Sequence, residues 1–83
     1  MKMINREVKS MKYEHYKVGD TIPTLEGEEK IISFNGSIIT TQSYVIGDNE
    51  ELIENGGENM LTQYDVERIL KEIDGKNHKV IFD

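Results

Sequence analysis

The stretch KIISFNGSII, residues 30–39, decides the fold because two isoleucine-rich strands flank a tight-turn dipeptide. Asn35-Gly36 supplies the positive φ angles that a two-residue type I′ turn requires at both central positions. Such a turn pairs Phe34 with Ser37. Side chains alternate between the two faces along a strand, so the predicted hairpin carries isoleucine on both faces. One face is expected to hold Ile32, Phe34 and Ile39. The other face is expected to hold Ile31 and Ile38.

Short strands separated by turn residues continue in both directions from this hairpin. Towards the N-terminus, residues 13–18 predict a strand, and Gly19-Asp20 predicts a turn before an extended segment at Thr21–Pro23. Towards the C-terminus we expect strands at residues 43–46 and 50–54. Turns are expected at Gly47-Asp48-Asn49 and at Asn55-Gly56-Gly57.

The segment that follows predicts an amphipathic helix over residues 63–74. Thr62 and Asp65 have the spacing of a capping box, and Gly75 suits a left-handed C-cap. One apolar stripe runs along the helix at helical spacing, formed by Val66, Ile69, Leu70 and Ile73. A loop at Lys76-Asn77-His78 and a terminal strand at Val80-Ile81-Phe82 are expected after it.

These elements predict an α+β fold. We expect a small, mostly antiparallel β-sheet or an SH3-like barrel of about five strands, with one C-terminal amphipathic helix (63–74) followed by a terminal strand. Eighty-three residues allow one domain, which we place at residues 13–83. Residues 1–12 are expected to be a leader, either flexible or a short helix.

The strand pattern resembles an SH3-like small β-barrel. In that family a "VGD" turn opens the barrel and a "Y-V" strand lies in the middle of the domain. The matching residues are Tyr16-Lys17-Val18-Gly19-Asp20, Gly27, the strand 30–34 and Tyr44-Val45-Ile46. The resemblance covers about residues 13–66 and implies a barrel. This chain adds a full helix and lacks an aromatic cage, so a peptide-binding or methyl-lysine-binding role is not carried over.

The charge is unevenly distributed along the chain. Sixteen acids and ten bases give a net charge of −6, and there is no cysteine. The bases concentrate in residues 1–19, while residues 48–58 carry five acids and no base. No apolar run reaches the roughly 20 residues of a membrane helix, so the protein is expected to be cytoplasmic and to have no membrane partner. Eleven isoleucines and no alanine are typical of low-GC bacteria, their phages and their plasmids.

No sequence motif predicts catalysis, a cofactor or a metal site. His15 and His78 are far apart and lack ligand spacing, so we expect His15 on a strand surface and His78 in a loop. Asp48-Asn49-Glu50-Glu51 begins like a calcium loop, but Leu52 and Ile53 fall where an oxygen ligand and glycine belong. There is no phosphate-binding glycine motif and no nucleophile elbow. The chain is therefore expected not to be an enzyme.

The acidic run predicts a protein-binding surface. Closely spaced carboxylates can occupy the basic groove of a nucleic-acid enzyme, and the partner-binding residues would be Asp48, Glu50, Glu51, Glu54 and Glu58. The chain's size and acidity are similar to those of small phage- or plasmid-borne inhibitors, such as anti-CRISPR proteins. The expected partner is a protein with a basic surface, such as a nuclease. An equally open interpretation is an acidic edge that prevents strand-to-strand aggregation.

Two other interpretations use different surfaces. An SH3-like accessory domain would contact nucleic acid through its basic N-terminal strand, using Lys9, Lys12, Lys17, Tyr13 and Tyr16. The remaining negative charge opposes that binding, and we favour lysines that only keep the strand soluble. A homo-oligomer would use the terminal strand, residues 80–82, as an open edge.

Overall fold

The computed structural model describes residues 12–83, which form six strands and one helix. In chain order these are β1 Lys12–Tyr16, β2 Thr21–Pro23, β3 Gly27–Phe34, β4 Ile39–Ile46, β5 Leu52–Leu61, α1 Gln63–Asp74 and β6 His78–Phe82. The predicted α+β fold, with its helix at residues 63–74 and a strand after it, is confirmed. The predicted leader lies outside the described residues except for Lys12, which begins β1.

The strands form two sheets. The larger sheet is antiparallel and contains, in chain order, β2, β3, β4 and β5. It corresponds to the antiparallel sheet that was one of the two predicted architectures. β1 and β6 pair in parallel, with Lys12 opposite His78 and Tyr16 opposite Phe82. The resemblance to an SH3-like barrel stays a prediction.

The β3–β4 turn differs from the predicted type I′ turn. Phe34 pairs with Ile39, so the loop has four residues, 35–38. The Asn35 side-chain oxygen accepts the backbone N–H groups of Ser37 and Ile38 at 3.0 and 2.9 Å. Gly36 has a positive φ of 101°, and Asn35 does not. The predicted turn is wrong because the asparagine side chain closes the loop in place of a second left-handed residue.

A bulge in β3 changes which isoleucines share a face. The register of β3 against β4 shifts between Ile31 and Ser33. Ile31, Phe34 and Ile39 therefore lie on the same face and reach the core, while Ile32 is exposed. The predicted grouping of Ile32 with Phe34 and Ile39 is wrong, because one extra residue in a strand reverses the faces beyond it.

A second bulge lies within β5, which is one strand of ten residues. Gln42 pairs with Glu58 and Tyr44 with Glu54, so three residues of β5, 55–57, face one residue of β4. The Gln42 side-chain amide donates to the Gly56 carbonyl oxygen at 3.3 Å. The turn predicted at residues 55–57 is therefore a bulge, and the strand predicted at 50–54 begins at Leu52 and runs on to Leu61.

The helix ends are as predicted. The Thr62 side chain accepts the Asp65 backbone N–H, and the Asp65 carboxylate accepts the Thr62 backbone N–H at 2.9 Å. Gly75 has φ 73° and donates its N–H to the Lys71 carbonyl oxygen at 2.7 Å. Local sequence determines both ends, since a capping box and a left-handed glycine need no distant partner.

The helix and β6 cover one face of the four-stranded sheet, which we call the inner face. The core there contains Ile22, Ile31, Ile39, Val66, Leu70 and Val80. The Phe34 and Phe82 rings meet edge to face, with centroids 5.6 Å apart. Ile73, the last member of the predicted helix stripe, is exposed, so the buried stripe ends at Leu70.

The inner face becomes polar beyond this core. The Glu29 carboxylate accepts a hydrogen bond from Thr41 Oγ1 at 2.6 Å, another from Ser43 Oγ, and a third from Asn59 Nδ2 at 3.3 Å. Three neutral donors satisfy this carboxylate, so it needs no cation. The far half of the β4–β5 hairpin lies beyond this polar cluster and outside the core.

Candidate functional site

The far part of the β4–β5 hairpin, residues 46–60, carries all five of the predicted partner-binding acids. We call it the acidic hairpin. Its loop is closed by the Gly47 N–H donating to the Glu51 carbonyl oxygen at 2.7 Å. Glu50 adopts the left-handed φ of 65°, and the Glu51 carboxylate accepts the Asn49 N–H at 2.9 Å. These bonds hold a short loop from which Asp48, Glu50 and Glu51 face solvent.

The other two acids lie on β5. Glu54 is opposite Tyr44 and Glu58 is opposite Gln42, so both lie on the face of the sheet away from the helix. The bulge brings them onto neighbouring positions of that face, since Gln42 and Tyr44 are only about 7 Å apart along β4. The structure therefore groups the five acids at one end of the hairpin and along one face of β5.

The acids of the acidic hairpin are not neutralised by bases within residues 12–83. The ion pairs of that part of the chain join His15 to Asp83, Arg68 to Asp65, and His78 to Glu14 and Asp74. Every residue from Asp48 to Met60 is exposed. This surface therefore presents uncompensated negative charge to a partner.

Apolar side chains are interspersed with these acids. Ile46, Leu52, Ile53 and Met60 are 45–71% exposed. In a β-strand one face usually packs on the core, yet the first nine residues of β5 are exposed on both faces. Sequence patterning does not predict this, because Leu52 and Ile53 have the pattern of ordinary core residues in a short strand.

The described residues predicted for the alternative nucleic-acid contact lie on two different sides of β1. Tyr13 is 67% exposed, and Lys12 and Lys17 are also exposed. Tyr16 points the other way, packs against the core, and has a pKa raised by that burial. Lys9 lies outside the described residues. Tyr13 and Tyr16 do not form one stacking surface, and strand alternation places Lys12 on the side of Tyr16, so only Lys17 is left for a contact with Tyr13.

His78 is part of β6, where the sequence predicts a loop. Its imidazole is 5% exposed, with Nδ1 at 3.2 Å from Glu14 Oε2 and Nε2 at 3.0 Å from Asp74 Oδ1. Glu14 and Asp74 thus flank the imidazole, one carboxylate at each ring nitrogen. The side chain ties β1 and β6 to the end of the helix. The four-residue spacing from Asp74 to His78 across Gly75 is the one signal of this contact in the sequence.

Histidine and acidic side chains do not gather into a metal site in the described part of the chain. No group of three or more His, Cys, Asp or Glu side chains within residues 12–83 has an arrangement that could hold a metal ion. His15 pairs with Asp83, with Nδ1 at 3.4 Å from Oδ2, and contributes nothing to the contacts of His78 with Glu14 and Asp74.

We expect the Asp74–His78 contact to contribute to the loss of unfolding free energy at acid pH. The pKa of Asp74 lies below its ordinary value near 3.8, first because His78 donates to it and then because the Lys76 N–H does. A depressed folded-state pKa contributes stability above the unfolded pKa, and that contribution is lost as pH falls through the folded pKa. Asp74→Asn should therefore flatten the loss of stability below about pH 4. Urea unfolding at pH 3, 4 and 7 measures it, and equal acid sensitivity of both proteins would contradict it.

The helix within residues 12–83 is neither long nor apolar enough to cross a membrane. No protein-family model, no curated protein and no solved structure matches the chain. The geometry of the acidic hairpin is therefore the basis on which a function is proposed.

Proposed function

We propose that this protein is a non-enzymatic, cytoplasmic binding module whose acidic hairpin docks on the basic surface of a partner protein. The partner class is a nucleic-acid-processing protein, such as a nuclease of a host defence system, which the module would inhibit. The observation that supports this is the exposure of residues 48–60 on both faces of the hairpin, with five acids and no base among them.

The apolar residues favour a binding surface over a protective edge. A strand that only guards against aggregation is expected to be short, charged or interrupted, and to avoid exposed apolar residues. β5 instead exposes Leu52, Ile53 and Met60 beside its acids. Apolar groups next to uncompensated charge are typical of a surface that is covered in a complex.

Negative charge in the acidic hairpin is expected to steer association with a basic groove. Complementary charge mainly raises the association rate and excludes wrong partners, and it is screened by salt. A groove that normally holds nucleic acid supplies the lysines and arginines that this surface would need. Occupation of the groove by the hairpin then competes directly with the nucleic acid.

Affinity capture from a low-GC bacterial lysate tests the proposal. The immobilised protein should retain a basic nucleic-acid-processing protein that elutes between about 0.05 and 0.5 M NaCl, because the Debye length shortens over that range. Excess duplex DNA should release the same protein, and the free module should inhibit its activity on nucleic acid. Retention that DNA does not compete, with activity unchanged by the module, would contradict the proposal.

A further inference from the structure

The face of the four-stranded sheet away from the helix, which we call the outer face, carries the side chains opposite the core. The even-numbered residues of β4 lie on it, because Ile39 and Thr41 point into the core. Register then places Leu52 beside Ile46, Glu54 beside Tyr44, and Met60 beside Thr40 on the same face. No element within residues 12–83 packs across it.

A cleft of about 430 Å³ opens on the outer face next to the β1–β2 turn. Val18 and Ile32 form apolar walls, and Tyr44 with Glu54 closes the side towards β5. Val18 and Ile32 are half exposed, at 50% and 42%. Beyond the cleft, next to Tyr44 and Glu54, the register places the exposed Ile46 and Leu52 on the same face. Apolar side chains therefore occur on this face from the β1–β2 turn to the loop of the acidic hairpin.

Charge on this face selects the kind of partner. Among the residues of β3, β4 and β5, Glu28, Glu54 and Glu58 lie on it with one base, Lys30. A second copy docked face to face would set these carboxylates against one another, and like charges at an interface cost several kcal/mol. The face therefore favours a basic occupant over another copy of this chain.

The bulge in β5 selects the form of the occupant. A partner strand added to the β5 edge would need a regular ladder, but residues 55–57 interrupt the register. The outer face itself is regular along β4, which is bounded by β3 and β5. A helix laid across a sheet face is a standard way to bury such a strip.

We infer that the outer face binds a basic amphipathic α-helix of the partner, with an apolar side chain in the cleft beside Tyr44 and basic side chains at Glu54 and Glu58. This inference rests on the proposed function and names the partner segment that the same site would take. An amphipathic helix of about 18 residues is about 27 Å long, which covers the roughly 20 Å along β4 from Thr40, beside Met60, to Ile46, beside Leu52.

A synthetic peptide tests the inference. The probe is a helical peptide of about 18 residues with a leucine stripe and lysines elsewhere, and the control peptide has glutamate in place of lysine. Titration into the ¹⁵N-labelled protein at about 0.15 M NaCl, where unspecific attraction is screened, should move the amide signals of Ile32, Tyr44, Ile46 and Met60. Shifts confined to other elements, no saturable binding, or equal binding of the control peptide would overturn it.

Paired variants make this test specific. Met60→Ser should weaken peptide binding about tenfold, because the buried apolar area is lost. Leu25→Ser is the matched control, since Leu25 is 70% exposed, Met60 is 71% exposed, and Leu25 lies in the β2–β3 turn. Equal loss in both variants would overturn the placement on the outer face. A dimer that hides the outer face, measured by light scattering, would also overturn it.

Failure of this inference is distinguishable from failure of the proposed function. If the peptide does not bind but the captured partner still depends on the acidic hairpin and is displaced by DNA, the outer-face helix is wrong and the proposed function stands. If the peptide binds the outer face but no partner is captured, the proposed function is wrong and the surface assignment stands.

Discussion

Replacing Gly27 with alanine is expected to lower the free energy of unfolding by about 3 kcal/mol or more, because β3 and β4 approach too closely there for a side chain. A Cβ built on Gly27 would overlap the Tyr44 carbonyl oxygen and lie 2.8 Å from the Val45 Cα. Both are backbone atoms of the paired strand, so they cannot move aside as a flexible side chain would. A chain of this length has only about 4–12 kcal/mol of stability to lose.

Gly57→Ala is the matched control for Gly27→Ala. Gly57 lies in the β5 bulge, has no heavy atom within 4 Å of the position that a Cβ would take, and does not have a positive φ. We expect its stability to change by no more than about 0.5 kcal/mol. Urea unfolding followed by circular dichroism measures both variants. Equal stability of the two variants would contradict the prediction that β3 and β4 are too close at Gly27 to admit a side chain.

Reversing three charges of the acidic hairpin is expected to reduce affinity for the captured partner about 100-fold. Each of Glu50→Lys, Glu51→Lys and Glu54→Lys replaces an attraction to a basic groove with a repulsion, and about 1 kcal/mol per site sums to that factor. Titration calorimetry at fixed salt measures the affinity. The loss should be largest at low salt and should shrink as screening increases.

A second triple variant separates position from net charge. Glu26→Lys, Glu72→Lys and Asp83→Lys change the net charge by the same amount at three exposed sites outside the acidic hairpin. We expect its affinity to stay within about threefold of the unmodified protein, since none of these three side chains belongs to the acidic hairpin and the longer-range effect of their charge is screened at about 0.15 M salt. If both triple variants lose affinity equally, overall charge and not the acidic hairpin governs binding.

The elements that depend on nearby residues could be predicted from sequence. The helix and its ends follow from Thr62, Asp65 and Gly75, which act on their own turn of the chain. The turn at Gly19-Asp20 is equally local, with Gly19 at φ 98° and Asp20 bonded to Lys17. The five acids of the acidic hairpin can also be identified by residue, because their charge and spacing are visible in the chain.

The features that depend on distant contacts could not be predicted. The bulge between Ile31 and Ser33 exists because Ile31, Phe34 and Ile39 all fit one core, and no dipeptide signals that. His78 is buried by Glu14, which is 64 residues away. Exposure of Leu52 and Ile53 depends on where the helix stops covering the sheet, so their part in a binding surface emerges only from the fold.

Hydrogen exchange of the complex tests the central claim most directly. With the captured partner bound, amide exchange should slow in the loop at residues 47–51 and along β5, and should stay unchanged in β1 at residues 12–16. Residues 48–60 are exposed in the free protein and β5 is the edge strand of its sheet, so slower exchange there reports contact with the partner. Protection of residues 12–17 with no change between residues 47 and 60 would contradict the account and would place the partner on the basic strand instead.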